Sequence, residues 1–352
     1  MTFSSSLISW YEVNKRDLPF RGTKDPYLIW VSEVILQQTR MEQGVTYYLR
    51  FIEQFPDIRS LAAASEEEVL KTWQGMGYYS RARNLHASAL EIRENFGGKF
   101  PATYLQIVKL KGIGDYSAAS IASLAFGEPQ AAIDGNVYRF ITRYFGFRDE
   151  VGSASGKKRT REKANSLMDK NQPGIFNQAM IEFGALICTP QKPSCHNCIF
   201  NTSCYAFKHK LILKIPVKKK KVFIRKRYLN YLVMTFPERG KPRVILNKRS
   251  EEDIWKNLYD FPVIESMVRL SSSGLRKTDE WKRIFHGKKP SVINISEEFR
   301  HILSHQVILA TFYHISLEEP PEGFDIRLPL DQMNSVPLPR LITRYIQKYF
   351  QG

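Results

Sequence analysis

The chain has 352 residues, enough for two domains of ordinary size, and 43% of them are hydrophobic, so each domain can bury a core. Its net charge of +17, from 52 Lys+Arg against 35 Asp+Glu, fits a polyanionic partner, nucleic acid first and a membrane surface second, or a basic surface kept for solubility. No stretch reaches the ~18 apolar residues of a membrane span, MTFSSSLISW lacks a basic leader, and all four cysteines fall between 188 and 204, unlike a secreted disulfide scaffold; the expectation is a soluble, cytoplasmic monomer.

Residues 1–210 read as helical, because apolar residues recur at helical spacing between short Gly, Pro and Asp breaks. The pattern predicts helices over Leu7–Lys15, Tyr27–Gln43, Val45–Gln54, Ser65–Trp73, Ser80–Asn95, Ser117–Phe126, Val137–Phe145 and Phe176–Cys188. The character changes near 210. Lys208 to Arg227 carries ten Lys/Arg and no acid, with Pro216 in the middle, and reads as a basic linker, either a solvated tether or a DNA contact. Beyond it Tyr228–Phe236, Arg243–Lys248, Val292–Ile295 and Gln306–Ile315 are rich in β-branched and aromatic residues and predict strands, and Leu338–Phe350 predicts a closing helix. The domain reading is an all-helical unit at 1–213, a linker at 214–227 and an α+β unit at 228–352.

Four features carry chemistry. Glu33 sits in YLIWVSEVILQQT among Ile29, Trp30, Val34 and Leu36, where desolvation would raise its pKa and favour the neutral acid that proton donation needs; the other reading puts it on a solvent stripe with Ser32 and Gln37. Leu110-Lys111-Gly112-Ile113-Gly114 joins two helices, and its glycines permit positive φ and close backbone approach ahead of a helix start whose free N–H groups suit a phosphate. A plain helical hairpin would look much the same, and Asp115 beside it either caps the helix or opposes the phosphate. Asp134, before GNVYRFITRYFG, is a helix N-cap by position, and a helix N-terminus also favours its ionised form. Cys188, Cys195, Cys198 and Cys204, spaced C-x6-C-x2-C-x5-C, supply four thiolates for zinc or a [4Fe–4S] cluster.

The cysteine spacing resembles the cluster loop of the endonuclease III branch of DNA glycosylases. With the hairpin and Asp134 upstream, and with LPFRGTKDPYLIWVSEVILQQT, GMGYYSRARNLH and FNQAMIEFGALIC, nearly the whole chain resembles the MutY-type adenine DNA glycosylases. The resemblance implies a helix-hairpin-helix catalytic domain with a [4Fe–4S] cluster on the four cysteines and a Nudix-like lesion-recognition domain. It implies removal of adenine mispaired with 8-oxoguanine or guanine in double-stranded DNA, with Glu33 the general acid at adenine N7 and Asp134 stabilising the oxocarbenium-like sugar. Tyr116 and Asn136 correspond to residues that support these carboxylates. Arg21, Leu36 and Glu182 correspond to the adenine pocket, Gln38 and Tyr78 to residues that enter the duplex, and Gly112 and Gly114 to the phosphate grip. Ser304 and His305 correspond to contacts with 8-oxoguanine, or form a turn before the strand at 306.

Two departures from the family stand out: Phe20 and Leu303 replace its usual Trp and Phe. Between Asn257 and Lys289 no glycine-led, glutamate-dense helix occurs, so the second domain is expected to bind a lesion and not to hydrolyse a nucleotide. A lyase of the same superfamily would carry a lysine nucleophile where Tyr116 stands. A non-catalytic iron–sulfur DNA-binding protein would have no need of Glu33 and Asp134 together.

Overall fold

The computed structural model describes residues 2–37, 39, 41–218, 224–250, 253–286, 289–303 and 305–351. It divides into two compact units: Met1–Ala64 with Arg83–Lys220, and Ser65–Ala82 with Lys221–Gly352.

The first unit is helical. Its elements are α1 (Phe3–Asn14), α2 (Pro26–Leu36), α3 (Met41–Gln54) and α4 (Ile58–Ala63). After α5 (Glu66–Thr72), which belongs to the second unit, come α6 (Ser80–Asn95), which joins the first unit from Arg83, α7 (Tyr104–Ile107), α8 (Asp115–Phe126), α9 (Gly135–Phe145), α10 (Ala154–Leu167), α11 (Pro173–Leu186) and α12 (Tyr205–Lys208). The local signals are visible in the caps. Asp25 accepts from Tyr27 N (2.8 Å) with Pro26 at the first helical position, so α2 starts where the sequence demands. Nearly every side of α2 is buried, and it packs on α3 and α8. The single helix expected over Tyr27–Gln43 is two helices, because α2 ends at Leu36 and α3 begins at Met41. α10 escaped the periodicity reading because KKRTREK hides its buried stripe of Gly156, Thr160 and Ala164.

A core of Leu7, Tyr11, Val137, Phe140, Ile141, Phe176, Met180, Phe183 and Phe200 ties α1, α9 and α11 to the cysteine loop. Phe183, fully buried, packs its ring 4.7 Å from that of Phe140. Burying such a side chain contributes roughly 1.5–3 kcal/mol. Residues 214–218, assigned by sequence to a linker, are docked on this unit: Arg143 Nε donates to Ile215 O (2.9 Å) and Val151 N to Val217 O (2.9 Å). The rest of the basic run, Lys219 to Phe223, lies outside the described residues.

The second unit is built on a mixed sheet. Its strands are β1 (Arg225–Glu238), β2 (Lys241–Lys248), β3 (Tyr259–Asp260), β4 (Val263–Ser266), β5 (Ser291–Ile295), β6 (Phe299–Ile302), β7 (Gln306–Ser316) and β8 (Ile326–Pro329), in the order β3-β2-β1-β7-β5. β4 joins β1, β6 joins β7 and β8 joins β2. β1 and β7 run parallel from Arg225↔Gln306 to Thr235↔Ser316, and the other pairs are antiparallel. Alternation along β7 sends Phe312 to one face, where it stacks on Tyr345 of the C-terminal helix Arg340–Phe350 (3.9 Å). Tyr313 and Ile315 point to the other, where Trp281 and Phe285 of the helix Asp279–Phe285 cover them. Among the described residues no helix is long and apolar enough to cross a membrane.

Candidate active site

In the helical unit one cavity of about 650 Å³ gathers seven of the residues singled out by sequence: Arg21, Glu33, Leu36, Tyr116, Asp134, Asn136 and Glu182. α2 delivers Glu33 and Leu36, α8 delivers Tyr116, the start of α9 delivers Asp134 and Asn136, and α11 delivers Glu182. Phe20, edge-on to Tyr48 (5.6 Å), completes part of the wall.

Glu33 takes the buried-acid reading, not the solvent-stripe one. Burial among apolar neighbours pushes its carboxyl up to about 7, against the pull of hydrogen bonds from Ser120 Oγ (2.6 Å) and Tyr116. The nearby charge of Asp134 adds to the rise. A carboxyl with that pKa holds its proton in about half the molecules at neutral pH. Tyr116 is itself raised well above the usual tyrosine value by burial and by the neighbouring carboxylates, so it stays a neutral donor. Among the described residues no lysine lines the cavity.

Asp134 is a true N-cap: its Oδ1 accepts from Val137 N (2.8 Å) and its Oδ2 from Asn136 Nδ2 (2.7 Å). The helix start was expected to dominate its titration. Burial outweighs it, and the Asp134 pKa is raised, although the Val137 and Asn136 donors pull it back. Asn136 is fixed in turn by Arg139, whose Nη2 donates to Asn136 Oδ1 (2.9 Å) and Gly184 O (2.6 Å) and whose Nε donates to Cys188 O (2.6 Å). α11 can lie this close because Gly184 has no Cβ; one there would stand 2.7 Å from Asn136 O.

At the opposite charge extreme is Glu182. It is fully buried, which alone would raise its pKa, but Arg16 (Nε 2.8 Å, Nη2 2.7 Å, backbone N 3.0 Å) and Arg21 (Nη1 3.1 Å, Nη2 2.6 Å) hold it down to about 2. Arg16, Ser120 and Arg139 were missed by sequence. Helical offsets would have found two of them, since Ser120 follows Tyr116 by four and Arg139 follows Asn136 by three. Arg16 is 166 residues from its partner and left no local signal.

At the hairpin, Gly112 takes φ +79, and a Cβ there would fall 2.5 Å from Asn84 Cβ. Gly114 is different: it is extended (φ −91, ψ 175) and caps α8 without left-handed geometry. Asp115 does not cap α8; it accepts from Tyr104 (3.0 Å) and Arg161 (2.5 Å).

Cys188, Cys195, Cys198 and Cys204 ring one small cavity lined also by Phe140, Phe183 and Phe200. Buried Arg143 crosses beside it, donating to Thr189 O (2.7 Å) and Pro190 O (2.9 Å), with Nη1 3.5 Å from Cys188 Sγ. Among the described residues no three His, Cys, Asp or Glu side chains are gathered as a single metal ion would require.

Tyr78 and His305 belong to the second unit. Tyr78 is 40% exposed at φ +50 on a tight turn. His305 is exposed in the turn between β6 and β7, closed by Leu303 N to Gln306 O (2.8 Å). Gln38 and Ser304 lie outside the described residues. The acids of the 257–289 stretch are either paired with arginines or exposed. Asp260 pairs with Arg249 (2.8 Å), Glu265 pairs with Arg227 (2.7 Å), and Asp279 and Glu280 are exposed.

Comparison with known proteins sets the class first. Residues 31–170 match the HhH-GPD superfamily base excision DNA repair protein, and residues 233–348 match the NUDIX domain. A solved thermostable thymine-DNA glycosylase is 29% identical and superposes with a TM-score of 0.54 over 59% of this chain and 95% of its own. An endonuclease III trapped in a covalent DNA complex shares the fold at 22% identity, with a TM-score of 0.51 over 59% of this chain and 95% of its own. The helical unit is thus a helix-hairpin-helix DNA glycosylase fold followed by a Nudix-like domain.

Among curated proteins, the adenine DNA glycosylase of Buchnera aphidicola subsp. Schizaphis graminum is 34% identical over 317 residues, spanning 89% of this chain and 83% of that one. At that identity and coverage the chain belongs to the adenine DNA glycosylase family, enzymes that act on N-glycosyl bonds.

Proposed function

We propose that the substrate is duplex DNA with adenine opposite 8-oxoguanine or guanine, and that Glu33 and Asp134 divide the work of releasing that adenine. The observation that carries this reading is a carboxyl with a pKa of about 7 sharing one cavity with a second, doubly hydrogen-bonded carboxyl. The cavity volume falls in the range of small-molecule sites, roughly 300–1,000 Å³, suited to an extruded base. Arg21, Leu36 and Glu182 wall the adenine.

The neutral Glu33 carboxyl gives its proton to adenine N7. The C1′–N9 bond breaks with its electron pair leaving on the base, and the cation at C1′ is stabilised by the Asp134 carboxylate. Water adds to C1′ and loses a proton to the Glu33 carboxylate, which restores the acid. Asn136 and Tyr116 hold the two carboxyls in place.

Gly112 and Gly114 grip a backbone phosphate, which fixes register without reading sequence. Tyr78 and Gln38 enter the duplex to offset the cost of extrusion, a few kcal/mol. Ser304 and His305 contact the 8-oxoguanine.

The four cysteines would hold one [4Fe–4S] cluster, in which each iron takes one thiolate, so the sulfurs surround a volume and not a point; the ring they form around one cavity supports this. The cluster would order the loop behind Arg139 and Arg143. The protein acts as a cytoplasmic, DNA-bound monomer.

Release of free adenine from duplexes with adenine opposite 8-oxoguanine, guanine or thymine tests the substrate. The expected order is 8-oxoguanine, then guanine, with thymine inert. Equal rates on all three would overturn it.

A further inference from the structure

Residues Ser65–Ala82 interrupt the helical unit in sequence and cluster with the C-terminal unit. The seam that holds them there is polar and directional. Glu66 accepts from Asn257 Nδ2 (2.5 Å), and Glu67 accepts from Lys248 Nζ (3.0 Å) and Tyr259 OH (2.9 Å). Lys71 donates its ammonium to the backbone carbonyls of Asn334 and Val336 (3.3 Å) and to Gln74 Oε1 (3.3 Å). Three acceptors offset the desolvation of this half-buried cation, whose pKa burial lowers.

The seam converges on one residue. Leu338, fully buried, donates its N–H to Gln74 Oε1 (3.3 Å) and accepts from Tyr79 OH at its carbonyl (2.9 Å). Gln74 and Tyr79 are the two ends of the turn that carries Tyr78. Within that turn Gly75 (φ 96), Gly77 (φ 73) and Tyr78 (φ 50) are all left-handed, and buried Trp73 donates Nε1–H to Gly77 O (3.0 Å). This backbone is unfavourable for a tyrosine and persists only where the surroundings over-determine it. The result is an exposed aromatic ring on a strained tip, stapled at both ends to the C-terminal domain.

We propose that Lys71, Gln74 and Tyr79 are positioning residues for Tyr78, so that the side chain entering the duplex and the domain reading the opposite base act as one body. The inference rests on the duplex-entering role proposed for Tyr78. It means that the C-terminal domain governs base extrusion through a segment that sequence alone assigns to the catalytic domain.

The test is a double-mutant cycle on the full chain with Lys71→Met, Tyr78→Ala and both together. It is read as the single-turnover rate of adenine release opposite 8-oxoguanine and opposite guanine, normalised to the active fraction. Lys71→Met is expected to slow release opposite 8-oxoguanine about tenfold and to lower the 8-oxoguanine-to-guanine rate ratio. Lys71→Arg restores most of the rate, and the double variant is no slower than Tyr78→Ala alone. Should Lys71→Met not fold, Gln74→Leu takes its place in the cycle. Multiplicative losses in the double variant, or a Lys71→Met rate equal to wild type, would overturn the coupling while leaving the role of Tyr78 intact. A Tyr78→Ala rate equal to wild type would overturn both.

Discussion

Glu33 and Glu182 line the same cavity, and burial acts on both in the same direction, yet one is carried up to about 7 and the other held at about 2. The difference lies in what each meets once out of water. Glu33 finds neutral donors, Ser120 and Tyr116, with a second acid nearby; neutral hydrogen bonds contribute about 1 kcal/mol each and do not offset desolvation. Glu182 finds two guanidiniums with forked, charge-assisted contacts, which more than offset it. One glutamate is left able to deliver a proton, and the other is locked as an anion that fixes two arginines in the wall. Burial alone therefore does not mark a general acid; burial without a cation does.

The comparison breaks most sharply at Glu33. Glu33→Gln keeps the shape and removes the proton, so single-turnover adenine release should fall about 10³-fold while duplex affinity in a filter or anisotropy assay is retained. Retained excision would mean that the raised acid is not the donor.

Glu182→Gln removes the anion and leaves Arg16 and Arg21 without a carboxylate. Loss of one partner of a buried pair costs about 3 kcal/mol or more, read as a lower urea midpoint at pH 7. Because its folded pKa is depressed, the contribution of Glu182 is present above about 4.5 and is lost as pH falls through about 2.

Glu33 has the opposite linkage. Its folded pKa is raised from 4.5 to about 7, so the stability it contributes by holding a proton is complete below 4.5 and is lost as pH rises through about 7, a swing of about 3 kcal/mol. Glu33→Gln should therefore be more stable than wild type at pH 8 and equal to it near pH 4.5. A stabilisation that does not vary with pH would contradict the assignment.

The smallest effect sharpens the contrast. Ser120→Ala removes a donor that favours the anion, so the pH at which activity is half lost should move up, by somewhat under one unit for a hydrogen bond of about 1 kcal/mol.

Much of this was legible in the sequence because it is local. Ile29, Trp30, Val34 and Leu36 around Glu33 offer a buried acid as one of two readings, Asp134 before GNVYRF announces a cap, and the β-branched and aromatic runs at Tyr228–Phe236 and Gln306–Ile315 announce strands. What stayed hidden depends on chain meeting chain. Arg16 reaches Glu182 across 166 residues, and Tyr79 reaches Leu338 across 259. The direction of the Asp134 shift was hidden too: the N-cap donors are readable, but the burial that outweighs them is a property of α8, α9 and α11 together. Ser65–Ala82 shows the same limit at the scale of a domain, since nothing in SEEEVLKTWQGMGYYSRA names its partner.

The central claim is that Glu33 acts as a neutral acid. Its most direct test is the single-turnover rate of adenine release opposite 8-oxoguanine, measured from pH 5.5 to 9 beside Glu33→Gln. The account predicts a rate that falls tenfold per pH unit above about 7 and a residual Glu33→Gln rate that lacks this descending limb. A wild-type rate independent of pH from 6 to 9, or the same descending limb in Glu33→Gln, would contradict it.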